Sequence, residues 1–192
     1  MNKTPLPRTK FITHTALYLA LAVLLPIGFH QIGASGRIFL PMHIPPLLAG
    51  FLLGPNSGVI VGALAPLLSH LLTGMPPTYA VPLMSLELPM YGLVAGMAYK
   101  RLGINIYISL VATMIVGRIM FGLGLFVLGL FIDLPYTAAK FFSTGGAIVS
   151  GLPGIAVQIV VIPILVASLK RFYSFEAEKV EVTNPESNPD SN

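Results

Sequence analysis

Residues 82–99 read PLMSLELPMYGLVAGMAY, an apolar stretch that contains one charged residue, Glu87. An ionisable side chain inside a membrane-spanning helix costs at least ~2.5 kcal/mol on insertion scales, so it usually faces a cavity or a partner. The meaning of Glu87 therefore depends on the solvent around this stretch, lipid or water.

The composition indicates lipid. Of the 192 residues, 55% are hydrophobic and 9% are charged, and the mean hydropathy is +0.83. Soluble domains carry about 25% charged residues, and a soluble fold of this size exposes too much surface to hide so many apolar side chains. The apolar residues also come in blocks of about 16 to 27, the length that crosses a hydrocarbon core of roughly 30 Å. The chain is predicted to be an all-α membrane protein with several spans.

Six spans are predicted. They cover approximately residues 11–30, 45–53, 59–72, 83–99, 104–132 and 141–169. The second is too short to cross alone, so residues 38–44 must complete it or it must lie re-entrant. GPNSG (54–58) is interpreted as the turn before the third span, and TGMPPTYAVP (73–82) as the loop before the fourth. The expected fold is a bundle of six transmembrane helices.

Basic residues predict the orientation of this bundle. One side of the predicted bundle carries the N-terminus, the turn between spans four and five, and the C-terminal exit. This side has seven basic residues: Lys3, Arg8, Lys10, Lys100, Arg101, Lys170 and Arg171. The other side has only Arg37 and Lys140. By the positive-inside rule, both termini are predicted to be cytoplasmic.

The chain is expected to divide near residue 171. Residues 1–171 form the predicted transmembrane domain. Residues 172–192 hold five acids and the polar run TNPESNPDSN, which predicts a disordered, solvated cytoplasmic tail. The positive charge on the rest of the chain reflects membrane topology, and no nucleic-acid binding is expected.

A second charged residue, Arg118, lies well inside a predicted span, in VATMIVGRIMFGLG. In the predicted topology Glu87 falls in the outer half of span four and Arg118 near the middle of span five. The two side chains would either form a buried ion pair that fixes helix packing or flank a common ligand. Buried ion pairs contribute poorly to stability, which favours a ligand site.

Other polar side chains are predicted near the same outer level. Tyr91 lies one helical turn beyond Glu87, on the same face. Each of the others alone is more often a packing residue, but together they predict a pocket capped by the loops QIGASGR and TGMPPTYAVP. They are Arg37, His43, His70 and, near the middle of span six, Gln158.

The sequence has no pattern typical of an enzyme or a metal site. There is no cysteine, which excludes disulfides and thiolate ligands, and the histidines lack the HxxxH and HExxH spacings of zinc sites. No GxSxG motif or Walker-type phosphate loop is present. We therefore expect no catalytic residues, no metal and no cofactor, and no ATPase activity of the chain itself.

Small residues recur at four-residue spacing. Gly50 and Gly54, Gly58 and Gly62, and Gly92 and Gly96 form three such pairs, and ALYLA contains Ala16 and Ala20. This spacing allows helices to approach closely in lipid, so most of these pairs are expected to serve packing within the bundle.

The motifs TALYLALAVLLP, FLPMHIPPLLAGFLLGPNSGVIVGALAPLLSHLLTGMPP and MSLELPMYGLVAG resemble those of substrate-binding (S) components of energy-coupling factor (ECF) transporters, over about residues 15–169. The resemblance implies six helices and high-affinity binding of a vitamin on the outer side, under loops that close over the ligand. It also implies a transmembrane coupling protein with two cytoplasmic ATPases, on which the S component docks through an AxxxA face of span one. ALYLA matches that motif, which assigns docking to Ala16 and Ala20.

The ligand remains open at this stage. Arg118 favours a carboxylate such as pantothenate or a folate-like molecule, whereas neutralisation of Arg118 by Glu87 would leave a pocket for a neutral ligand such as pyridoxine or a pyrimidine. The alternative function is a stand-alone secondary carrier, in which Glu87 and a histidine relay protons.

Overall fold

The computed structural model describes residues 8–31, 40–134 and 154–171, and every regular element within them is helical. The helices are α1 Arg8–Gln31, α2 Ile44–Leu53, α3 Pro55–Thr73, α4 Ala80–Ala95, α5 Ile106–Leu128 and α6 Gly154–Arg171. A 3₁₀ turn, Pro41–His43, precedes α2, and α4 continues as a π-helical turn, Gly96–Arg101. Arg37, the first half of predicted span six and the acidic tail lie outside the described residues.

Five of these helices are long and apolar enough to cross a membrane, and α2 is not. With its 3₁₀ turn, the second segment runs from Pro41 to Leu53, which at 1.5 Å per residue is about 20 Å. The prediction of an all-helical membrane protein is confirmed for the described part of the chain. The predicted shortness of the second segment is confirmed as well.

Two predicted connections are shorter than expected. GPNSG is not a five-residue turn, because α3 already begins at Pro55. Gly54, with φ +111°, reverses the chain in one residue, and a proline at the first helical position lacks only an N–H that would have no partner there. Likewise α4 begins at Ala80, so the end of TGMPPTYAVP is helical. Pro82 falls in the first turn, where proline is tolerated.

Glycines bring α2, α3 and α4 into backbone contact. A Cβ on Gly58 would lie 2.5 Å from the Cα of Gly92, and one on Gly62 would lie 2.5 Å from the carbonyl of Leu88. A Cβ on Gly50 would also meet the Gly92 backbone. The prediction that these spacings serve close packing inside the bundle is therefore confirmed. The contact at Gly92 also fixes the position of Tyr91, the preceding residue of α4.

Three polar contacts place several helix ends at one end of the bundle. In the first, Lys100 Nζ donates to the carbonyl of Leu52 at 2.7 Å, which brings the turn after α4 close to the start of α3. The hydroxyls of Thr15 in α1 and Ser57 in α3 are 2.8 Å apart. Lys170 Nζ donates to the Tyr99 hydroxyl at 2.6 Å and lies 4.3 Å from the centroid of its ring. We call this end, where α1 and α3 begin and where α6 ends, the basic end. The shared end is the arrangement that the charge pattern predicts for the side of both termini.

Candidate functional site

Glu87 is buried between two cationic or potentially cationic side chains from neighbouring helices. Its Oε2 lies 3.6 Å from His43 Nε2, and its Oε1 lies 3.5 Å from Arg118 NH1. The Glu87 and His43 side chains are each 3% exposed, and that of Arg118 is 17% exposed. The structure thus brings together residues from α4, from α5 and from the 3₁₀ turn before α2. We call these three residues with Tyr91 the polar cluster.

The contacts of the polar cluster are longer than direct charge-assisted hydrogen bonds, which measure about 2.7–2.9 Å. Glu87 Oε1 and both ring nitrogens of His43 are buried and have no hydrogen-bond partner within the described residues. Buried polar atoms are nearly always paired in folded proteins. Unpaired atoms that face one another across three helices are therefore a sign of a binding site.

Tyr91 completes the cluster from the same helix as Glu87. Tyr91 and Glu87 both contact His43, Glu87 through its carboxylate and Tyr91 through its ring. The Tyr91 ring meets the His43 ring edge to face, with centroids 5.0 Å apart and an interplanar angle of 82°. The prediction that Glu87 and Tyr91 share one helix face is confirmed.

Gly117 is a residue of this site that the sequence analysis missed. A Cβ at this position would collide with the ring carbons of Tyr91, so only glycine leaves room for the ring against α5. The neighbouring residue, Arg118, reaches Glu87 one turn before Tyr91. The sequence feature that could have identified Gly117 is its position next to an arginine inside a membrane span. Gly117 belongs to none of the small-residue pairs.

A tight turn places His43. Leu40 adopts a left-handed conformation, with φ 50° and ψ 47°, and its carbonyl accepts a hydrogen bond from His43 N at 3.0 Å. A non-glycine residue in this region is uncommon. Pro41 then starts the 3₁₀ turn that delivers His43, 2% exposed, to the interior.

Gln158 lies at about the depth of Glu87. Gln158 lies twelve positions before Lys170, and Glu87 lies twelve positions before Tyr99. Lys170 and Tyr99 are bonded to each other, so both residues lie about 18 Å from that contact along helices that run the same way. Gln158 is 1% exposed, and its Nε2 has no hydrogen-bond partner within the described residues.

His70 has a different environment from the polar cluster. Its Nδ1 lies 2.7 Å from the carbonyl oxygen of Pro76, in the loop between α3 and α4. Its own carbonyl accepts from Gly74 N at 2.8 Å. Because a carbonyl only accepts, Nδ1 is the donor in the first bond. His70 therefore ties down the loop that the sequence predicted to cap the pocket.

The small residues of ALYLA lie on the outside of the bundle. Ala16 and Ala20 are exposed, on the same side of α1 as Ile12 and Leu24, which are 64% and 60% exposed. Unlike the paired glycines of α2, α3 and α4, these two alanines are not buried against another of the described helices.

The described residues contain no group of three histidine, aspartate or glutamate side chains that could hold a metal ion.

A family model described as "ECF transporter, substrate-specific component" matches residues 10–166. That range contains the whole polar cluster, Gln158 and the exposed face of α1. Comparison with curated proteins and with solved structures found no match.

Proposed function

The chain belongs to the family of ECF transporter substrate-specific components, and we propose that it is the high-affinity binding subunit for uptake of a vitamin or related micronutrient. The observation that carries this proposal is Glu87, a carboxylate buried within an apolar helix bundle between His43 and Arg118. A group that costs this much to bury, with hydrogen-bonding capacity left over, fits a ligand site better than a stabilising ion pair.

In this proposal the ligand contacts Glu87, Arg118, His43, Tyr91 and Gln158. These residues come from α4, α5, α6 and the 3₁₀ turn before α2, so a ligand among them would touch several parts of the bundle. His70 contributes indirectly, by holding the loop at Pro76. Arg37 lies outside the described residues, and its assignment to the pocket stays a prediction.

Energy for transport is proposed to come from partners. A transmembrane coupling protein and two cytoplasmic ATPase subunits would supply it, with docking through Ala16 and Ala20. The exposure of both residues supports this role, because small side chains on an outward helix face let a second helix approach closely in lipid. The chain would lie in the cell membrane with both termini cytoplasmic, as the basic end suggests.

A ligand panel tests the binding function. The purified full chain is screened by thermal shift and native mass spectrometry against B vitamins and their precursors, and copurification with the coupling protein and ATPases is measured in parallel. We expect one tight binder that raises the unfolding temperature, because a ligand that binds only the folded state stabilises it by mass action. Absence of both binding and copurification would contradict the proposal.

The contact between His43 and Glu87 also supports a second candidate, a stand-alone proton-coupled carrier. Two titratable side chains 3.6 Å apart inside a bundle are a plausible proton relay in chemical terms. Such a carrier would transport substrate in liposomes that contain this chain alone, driven by a pH gradient. The binding subunit would not, since it needs the ATPases.

A further inference from the structure

The charge arrangement of the polar cluster bears on the ligand. Relying on the proposed binding function, we infer that the ligand is an uncharged small molecule that donates a hydrogen bond to Glu87 and accepts one from Gln158, and not a carboxylate held by Arg118. A hydroxyl- or amino-substituted nitrogen heterocycle has this chemistry. Of the two ligand classes that the sequence leaves open, the polar cluster favours the neutral one.

Arg118 already has a negatively charged partner in Glu87. Its guanidinium lies 3.5 Å from a carboxylate that is 3% exposed. An anionic ligand would have to compete with Glu87 for Arg118 and would place a second negative charge next to the first. Like charges a few ångströms apart in a poorly solvated site repel strongly, and His43 would offset that repulsion only if protonated.

The hydrogen bonds that Glu87 and Gln158 can still make define the groups that a ligand should carry. Glu87 Oε1 lies 3.5 Å from Arg118 NH1 as an ion pair but has no hydrogen-bond partner among the described residues. It is an acceptor when ionised, so it can still take an O–H or N–H from the ligand. A ligand carboxylate offers none. Gln158 Nε2, which has no hydrogen-bond partner within residues 8–31, 40–134 and 154–171, is a donor and can bond to an acceptor on the ligand.

His43 adds a hydrogen-bond donor and an acceptor to the site when its ring is neutral. Both of its ring nitrogens are buried and have no hydrogen-bond partner in the described parts of the chain, and a neutral imidazole offers one donor and one acceptor. Its ring is fixed edge to face on Tyr91, so its nitrogens have a set direction. The cluster as a whole therefore presents donors and acceptors together, which matches a neutral ligand with both.

Matched ligand pairs test this inference on the full chain. Each pair shares a skeleton and differs in one group: pyridoxine and 4-pyridoxate, pantothenol and pantothenate, nicotinamide and nicotinate. Affinities are measured at neutral pH for the wild type, Glu87→Gln and the double variant Glu87→Gln/Arg118→Gln. Ser57→Ala is the control, since Ser57 is buried but lies at the basic end, against Thr15.

In the pair that binds, the wild type should prefer the uncharged member by about tenfold or more, the effect of one hydrogen bond to a charged group. Glu87→Gln should shift that preference towards the carboxylate, because Arg118 loses its partner. The double variant should lose the shift, and Ser57→Ala should behave as wild type.

Tighter binding of a carboxylate by the wild type would overturn the inference and leave the binding function intact. Failure of every pair, together with failure to copurify with the coupling protein, would instead overturn the proposed function. Should Glu87→Gln not fold, the wild-type preference alone decides the ligand class.

Discussion

The carboxylate of Glu87 and the guanidinium of Arg118 lie 3.5 Å apart on the adjacent helices α4 and α5. They face each other where the Tyr91 ring packs against Gly117, so one helix contact fixes both the ion pair and the aromatic side of the cluster. Removal of either charge should therefore affect stability as well as binding, and the two effects can be separated by experiment.

Arg118→Gln is expected to destabilise the protein and to weaken ligand binding sharply, because Arg118 holds the Glu87 carboxylate that the ligand contacts. The loss of one partner of a buried pair leaves the other charge uncompensated, which costs ~3–5 kcal/mol when both are fully buried; the partial exposure of Arg118 favours the lower end. Thermal unfolding in detergent and calorimetric titration measure the two effects. The double variant Glu87→Gln/Arg118→Gln should recover much of the stability. Unchanged affinity in a well-folded Arg118→Gln protein would remove Arg118 from the pocket.

Gly117→Ala is expected to weaken ligand binding, because the new methyl group would displace the Tyr91 ring. The cost to stability should be about 1–3 kcal/mol, as for other overpacked interiors. Gly28→Ala is the matched control: a Cβ there meets nothing within 4 Å, so this change should be neutral or slightly stabilising. Equal affinities of both variants, measured by titration, would show that Tyr91 does not shape the pocket.

His70→Ala should increase the rate of ligand dissociation. The variant loses the bond that ties α3 to Pro76, worth ~1 kcal/mol, so we expect a change of about fivefold. The control is His14→Ala, which removes a similar bond, to the Lys10 carbonyl, from the exposed start of α1. Stopped-flow or surface-plasmon measurements compare the two. A rate no different from that of the control would mean that this loop does not gate the ligand.

Ala16→Trp should abolish uptake and assembly with the coupling protein while affinity for the ligand stays unchanged. Ala16 is exposed, so the indole has room in the isolated chain but would block close approach of a partner helix. Ile115→Trp, at a residue of α5 that is 56% exposed, is the control for adding a large side chain to a lipid-facing surface. Survival of the assembled complex in Ala16→Trp would rule out this docking face.

The sequence predicted those features of the site that depend on a single helix. Glu87 and Tyr91 share a face because they are four residues apart, and the paired glycines pack because their spacing repeats each turn. It did not predict that His43 contacts Glu87, since a one-residue left-handed conformation at Leu40 sets where the 3₁₀ turn enters the bundle. Nor did it predict the bond of His70 to the carbonyl of Pro76, because that contact depends on the conformation of the loop between α3 and α4.

By itself, then, the sequence determined that this protein is a helical membrane protein with an ionisable pair inside it. Burial of about twenty apolar residues per span and the helical period are local properties, so they can be derived from composition and spacing. Tertiary structure alone decided which polar atoms meet. That depends on how each helix is rotated and shifted against its neighbours, here by glycine contacts between α2, α3 and α4 and by Gly117 against Tyr91.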